Sequence, residues 1–399
     1  MLFVTIVLDG VGVGAQADAD CYGDVGSHTL GHVCTHERPS LPHLGRMGLG
    51  CVTPLDGVPC PASPTAHFGR MREVSAGKDS TTGHWELAGL RLPAPFPTYP
   101  DGFPPEVIER FKTVTGCDGV LGNKPESGTV IIEELGPEHA RTEFPIVYTS
   151  ADSVFQIAAH KDVIPLERLY ELCQIARNKV CVGEHGVGRV IARPFVGTPG
   201  AYTRISEERR DYTRLPHRPP LQQVLQDNGV RTIAIGKIGD LFGDVGFDAI
   251  RKTKGNDEGV QKTLDAIHDY VRAPEPTFVW TNLVDFDQAY GHRNNPEGFA
   301  EALEAFDQAL PDLRNALPED AGLMITADHG NDPTTASTDH AREYVPVLYD
   351  PPGRTTVGQP MGLRASFNDH AATVADCFDV PFETRGVPVL RTVAEASGE

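Results

Sequence analysis

The stretch TFVWTNLVDFD (277–287) is dominated by β-branched and aromatic residues and then breaks into two acids, Asp285 and Asp287. Such a run, with little polar alternation, is the pattern of a strand buried on both faces, as in parallel sheets covered by helices. Two other stretches share the form. LFVTIVLDG (2–10) ends at Asp9, and AGLMITADHGND (321–332) ends in Asp328 and His329. The carboxyl ends of parallel strands share one edge, so these residues converge although they are far apart in the chain.

The neighbouring segments fit an α/β fold. LQQVLQDNG (221–229), GVQKTLDAIHDYV (259–271) and SFNDHAATVADCF (366–378) read as helices. PEGFAEALEAFDQALPDLRNAL (296–317) is helical too, with a break or recapping expected near Pro311. VRTIAIGKIG (230–239) and VPVLYD (345–350) supply further strands. Alternating strands and helices predict an open, mostly parallel sheet with helices on both faces. The first and last thirds form that sheet as a core of residues 1–97 and 217–399, and residues 98–216 form an inserted, smaller α/β domain.

Within the insertion, PEVIERFK (105–112) begins a helix and PLERLYELCQIARNKV (165–180) has helical spacing. TVIIEEL (129–135), PIVYTS (145–150) and RVIARPFVG (189–197) read as strands. Residues 199–220, polar and proline-rich, read as a linker returning to the core. Residues 10–75, rich in Gly, Pro and His, predict long loops with short helices.

The 399 residues carry a formal net charge of −20, which disfavours nucleic acid and anionic membranes as partners. No apolar run approaches the ~20 residues of a membrane span. The apolar start, MLFVTIVLDGVGVG (1–14), lacks the basic flank of a secretion signal and is interrupted by Asp9. The eight cysteines are scattered without a CxxC pair, so free thiols in a reducing compartment, and hence the cytoplasm, are expected.

The strand-end clusters carry the chemistry. Beside Asp9 stand Asp285 and Asp287, followed by Tyr290, Gly291 and His292, and then Asp328-His329-Gly330-Asn331-Asp332 with Asp339 and His340 after them. A mixed shell of carboxylates and imidazoles suits Mn²⁺, Zn²⁺, Fe²⁺ or Co²⁺, whereas carboxylates alone suit Mg²⁺ better. Helix caps and solvated loop charges explain any one of these residues, but not all three clusters at strand ends. Two such ions side by side clamp the attacking and leaving oxygens of phosphoryl transfer.

GKDSTTGHWE (77–86) then offers three hydroxyls, Ser80, Thr81 and Thr82, ahead of what reads as a helix start. A hydroxyl near paired ions can act as a nucleophile on phosphorus, and N–H groups at the helix start can hold phosphate oxygens. The local chemistry leaves the choice among the three oxygens open.

Over essentially its whole length the chain resembles the phosphopentomutases of the alkaline phosphatase superfamily, which includes the cofactor-independent phosphoglycerate mutases. The resemblance rests on VLDGVGVG, FGDVGSHTLGH, GKDSTTGHWELAGL, FPIVYTSADSVFQIAAH, VGRVIARPF, RRDY, AIGKIGDLF, NLVDFDQAYGHRNNPEGF and TADHGNDPTT with TDHAREYVPVL, in that order. It implies an alkaline-phosphatase-like core with a cap. It also implies interconversion of ribose 1-phosphate and ribose 5-phosphate, and of the 2-deoxyribose equivalents, through a phosphoenzyme and a 1,5-bisphosphate. Two Mn²⁺ ions are implied, one held by Asp9, Ser80, Asp328 and His329, the other by Asp287, His292 and His340. The phospho-acceptor falls on Ser80, where the family usually has Thr; Ser keeps the hydroxyl and loses only a methyl.

Asp152 and Ser153 resemble the ribose contacts, and Arg193, Arg209 and Lys237 the clamp on the distal phosphate. Guanidinium forks and an ammonium suit that task by type, though Arg209 and Arg210 share one polar run. A hexose or pentose bisphosphate is the implied priming activator. Small sugar phosphates are the expected partners of a monomeric chain. A phosphatase or phosphodiesterase on the same core is disfavoured by the basic insertion, and a phosphoglycerate mutase by the GHWE and YTSADSV motifs. A non-catalytic scaffold is disfavoured because each expected metal position is filled.

Overall fold

The computed structural model describes residues 1–150, 153–354 and 357–389. The core opens with β1 (Leu2–Leu8) and β2 (His67–Met71). An insertion follows with β3 (Leu121–Pro125), β4 (Ile146–Thr149), β5 (Val154–His160), β6 (Arg189–Val196), β7 (Thr203–Arg204) and β8 (Arg210–Thr213). The core then resumes with β9 (Arg231–Ile235), β10 (Ala249–Arg251), β11 (Thr277–Leu283), β12 (Gly322–Thr326), β13 (Val345–Asp350) and β14 (Pro360–Arg364).

Every residue of β1 and of β11 is buried, Thr5, Thr281 and Asn282 along with the apolar majority, as in a strand covered on both faces. The core sheet runs β10-β9-β11-β1-β12-β13-β2-β14. It is parallel except at β13, which lies antiparallel to both β12 and β2. β1 is therefore flanked by the two strands that share its sequence pattern. Leu8 lies opposite Leu283 of β11, and Val7 opposite Thr326 of β12. That register brings Asp9, the residues after Leu283 and Asp328 out at one edge. Phe3 stacks on Tyr349, and Trp280 packs against Phe278 and His370; by the register these rings share one face, which they fill behind that edge.

The chain divides into Met1–Ala94 with the chain from Pro216 onward, and Pro95–Leu215; the sequence had placed the joins at 98 and 216. The second unit has its own sheet, β3-β4-β5-β6-β7, with β8 also on β6. One apolar cluster, around Phe103, Phe111, Phe155 and Leu172, fills one side of it, and another, around Ile131, Ile132, Tyr148 and Phe195, fills the other.

Five expectations need correction. TVIIEEL belongs to a helix, Gly128–Thr142, because Ile131, Ile132, Gly136 and His139 recur at helical spacing on its buried side, overriding β-branched propensity. Residues 199–220 are not simply a linker, since β7 and β8 pair antiparallel with β6. The Pro296–Ala316 helix runs unbroken through Pro311. β2 emerges inside the loop-rich segment between residues 10 and 75. Finally, Cys51 and Cys60 form a disulfide, while six cysteines are free. The Leu55–Val58 bridge folds the chain back between the two thiols, a proximity that their nine-residue spacing does not announce. Among the described residues no helix is long and apolar enough to cross a membrane.

Candidate metal centre

Asp9 and Asp328 are fully buried, and Asp287 nearly so. Three carboxylates withdrawn from water at one place are costly unless cations or hydrogen bonds answer them. Asp287 lies beyond β11 on a wide helical turn, Phe286–Tyr290, which carries the chain on to His292. Its Oδ1 accepts from Asn331 Nδ2 at 2.7 Å and lies 3.3 Å from His340 Nε2, and its Oδ2 lies 3.4 Å from His292 Nε2. His329 Nε2 lies 3.4 Å from Asp9 Oδ1 and 3.3 Å from Asp328 Oδ2.

Two sets of ligand atoms converge within 4.8 Å of one another: Asp9, Asp328 and His329, and Asp287, His329 and His340. His329 thus stands in both sets, and His292 joins the second through Asp287. The donor chemistry fits divalent ions. His292 donates from Nδ1 to Thr338 O at 2.6 Å, and His329 Nδ1 lies 3.0 Å from Gly330 O. A carbonyl can only accept, so each ring carries a hydrogen on Nδ1 and aims Nε2 at the carboxylates, the nitrogen that would bind an ion in place of a proton. Asp9 Oδ1, Asp328 Oδ2 and His340 Nε2 are buried without a hydrogen-bond partner.

The electrostatics agree. Burial by itself lowers the affinity of His329 for a proton, but Asp328, Asp9 and Asp287 overcome it and raise its pKa to about 10. Burial likewise opposes ionisation of Asp287, yet His340, His292 and Lys237 hold its carboxyl well below the usual range. The centre is a concentration of negative charge that favours any cation offered to it.

Ser80 stands at the start of the Ser80–Leu87 helix, its Oγ 3.0 Å from His329 Nε2 and accepting from Lys237 Nζ at 2.8 Å. Asp79 is the cap. Its Oδ1 accepts from Thr81 N and Thr82 N, so those two N–H groups are not a vacant phosphate cradle. Thr82 Oγ1 donates to Asp79 Oδ2 at 2.5 Å. Among the described residues neither Thr81 nor Thr82 offers a hydroxyl to the cluster. Gly83 lets this helix lie on the strand end, since a Cβ there would stand 2.1 Å from Asp328 O.

Lys237 follows β9 and also pairs with Asp9, so its ammonium sits in the metal centre of the core, whereas Arg193 and Arg209 belong to the inserted unit. Arg193 projects from β6, donates from Nε to Gln156 Oε1 at 3.1 Å, and is lowered in pKa first by burial and then by Arg209. Arg209 forks onto Asp211 at 2.7 and 2.6 Å. Ser153 Oγ donates to Pro97 O at 2.5 Å and accepts from Gly188 N at 3.2 Å, a structural engagement of both its capacities. Asp152 lies outside the described residues.

Sequence reasoning passed over Asn331, which orients Asp287, and Glu343. The latter accepts from Gly14 N, Thr29 N and Thr29 Oγ1 and holds the loop after β1 against the 341–344 segment. Asn331 was visible in DHGND as one more polar residue at a strand end; Glu343 carried no signal.

A metalloenzyme-superfamily model matches residues 1–381. The phosphopentomutase of Caldanaerobacter subterraneus subsp. tengcongensis is 51% identical over 389 residues, covering 97% of each chain. That of Dictyoglomus thermophilum is 50% identical over 394 residues, covering 98% of each. The phosphopentomutase of Deinococcus radiodurans is 49% identical over 390 residues, covering 97% of this chain and 98% of its own.

Proposed function

The chain belongs to the phosphopentomutase family of the metalloenzyme superfamily, and on that premise we propose that it carries the phosphoryl group in transit on Ser80. Its activity is the phosphopentomutase isomerisation of ribose and deoxyribose phosphates, an intramolecular phosphotransfer served by a two-metal cluster. The observation that carries the assignment to Ser80 is its Oγ, 3.0 Å from His329 Nε2 at the edge of the buried carboxylates.

Asp9, Ser80, Asp328 and His329 would hold one ion and Asp287, His292 and His340 the other, both Mn²⁺ in this reading. Bound there, the ions neutralise charge developing on the attacking, leaving and equatorial oxygens. The chain's own groups do the rest. Lys237 donates to Ser80 Oγ, favouring the serine oxygen as it becomes a leaving group. Arg193 and Arg209 take the phosphate that is not being transferred, by guanidinium forks. As the P–Oγ bond of phosphorylated Ser80 breaks, a bond forms from phosphorus to the free sugar hydroxyl oxygen, whose proton is given up and finally balanced by a proton on Ser80 Oγ, giving a 1,5-bisphosphate. Return of the other phosphoryl group to Ser80 completes the isomerisation. A hexose or pentose bisphosphate primes the resting serine.

Priming with a bisphosphate carrying labelled phosphorus, followed by peptide mapping, tests the assignment. Label is expected on the peptide containing Ser80 and absent from Ser80→Ala. Label retained by Ser80→Ala on Thr81 or Thr82 would overturn it.

A further inference from the structure

His84 stands one helical turn after Ser80, so its ring lies on the same face of the helix. It is completely buried. Nδ1 lies 2.8 Å from Ser80 O and 3.1 Å from Asp328 Oδ2, and Nε2 lies 3.3 Å from Asn282 Nδ2. Asn282, equally buried on β11, places the same Nδ2 2.9 Å from Asp9 Oδ2.

These contacts admit one arrangement of protons. The Asp9 carboxylate, paired with Lys237, offers only lone pairs, so the Asn282 atom facing it is the amide nitrogen. One of its hydrogens goes to Asp9 and the other meets His84 Nε2, which must accept. The ring proton therefore sits on Nδ1, where both neighbours, Ser80 O and Asp328 Oδ2, are acceptors.

We propose that His84 is a positioning residue for phosphoryl transfer: an Nδ1-protonated imidazole that ties the backbone of Ser80 to Asp328 and, through Asn282, to Asp9. The proposal rests on the reading of Ser80 as phospho-acceptor and of Asp9 and Asp328 as ligands of the ion beside it. Its consequence is orientation. Asp328 Oδ1 accepts from Gly10 N at 3.1 Å, and its Oδ2, which takes no hydrogen bond, lies at ion-pair distance from His84 Nδ1, 3.1 Å away. Asp9 Oδ2 is engaged by Asn282 and Lys237, which leaves Oδ1 without a hydrogen bond and turned to the cluster. Each carboxylate thus presents a fixed lone pair, and both are referenced to the turn that carries Ser80. A ring that merely filled the core would contribute stability and nothing else.

Two measurements separate these cases. Long-range ¹H–¹⁵N correlation, with His84 assigned by comparison with His84→Asn, is expected to show the ring hydrogen on Nδ1. A ring hydrogen on Nε2 in place of Nδ1 would overturn the proposal. In the second, His84→Leu is expected to lose roughly 10–100-fold in kcat and in Mn²⁺ affinity measured by titration. KM for ribose 5-phosphate should stay within about threefold. His84→Asn, whose amide can still donate at the Nδ1 position, is expected to recover most of both losses. A folded His84→Leu that keeps its kcat and Mn²⁺ affinity would overturn the proposal; should that variant not fold, the spectrum of the unmodified protein decides. Failure of the unmodified enzyme to isomerise sugar phosphate would instead overturn the proposed function, leaving the ring's proton and the Mn²⁺ titration to be read as before.

Discussion

At the scale of single residues, the division of labour within Asp79-Ser80-Thr81-Thr82 gives a sharp expectation. Because Asp79, not Ser80, caps the helix, Ser80→Ala should keep stability within about 1 kcal/mol of the parent. Phosphoryl transfer should nevertheless fall by roughly 10⁴-fold or more, as for loss of a nucleophile. Thr81→Val should transfer normally, and the two variants together, assayed for isomerisation and melting, check the choice of oxygen. His370 bears on acid stability. Its Nδ1 donates to Leu87 O at 2.7 Å and its Nε2 lies 2.8 Å from Thr5 Oγ1, and burial lowers its pKa to about 4. An unfolded chain takes up this proton near pH ~6.5, so between the two values the unfolded state binds more protons than the folded one. Stability from this residue is whole above pH ~6.5 and is lost as pH falls towards 4, by at most about 1.4 kcal/mol per pH unit. Urea unfolding of metal-free protein at pH 7 and pH 5 should show a steeper acid loss for the parent than for His370→Gln; equal losses would contradict this.

At the scale of elements, the strands that build the site were legible and the pieces that refine it were less so. β1, β11 and β12 announce themselves by mostly apolar, β-branched and aromatic runs ending in acids, and their register then brings the acids together. The Gly128–Thr142 helix was hidden because Val130, Ile131 and Ile132 favour a strand locally, while its burial pattern depends on packing against a sheet not visible in the sequence. In the sequence His84 is only one residue of the GHWE motif. Its meaning appears once the helix is laid against β11 and the Asp328 loop. Gly83 shows how tightly that contact is drawn. Gly83→Ala would drive a methyl into Asp328 O, a backbone atom that cannot swing aside, and should destabilise by roughly 1–3 kcal/mol. Its activity should fall further than its stability, since the displaced helix carries Ser80; a Gly83→Ala enzyme with normal kcat would contradict the close approach.

In the molecule as a whole, the core motifs from Asp9 to His340 are one site because one sheet edge gathers them, while the inserted unit is built on a sheet of its own. The sequence could name that division but not the pairing of β7 and β8, whose strands are two and four residues long and largely polar. Three buried carboxylates around two ion positions also tie folding to metal. Mn²⁺ at one hundred times its Kd should stabilise the protein by about 2.7 kcal/mol per independent site, raising Tm by a few degrees, and chelation should reverse it. A Tm indifferent to Mn²⁺ would contradict the metal centre.

This site moves a phosphoryl group within a pentose phosphate and does not release it to water. Phosphorus NMR of ribose 1-phosphate with the Mn²⁺-loaded enzyme tests it most directly. The ribose 5-phosphate resonance should grow with only a trace of inorganic phosphate, and that growth should be lost in Ser80→Ala. Stoichiometric inorganic phosphate without ribose 5-phosphate would contradict it.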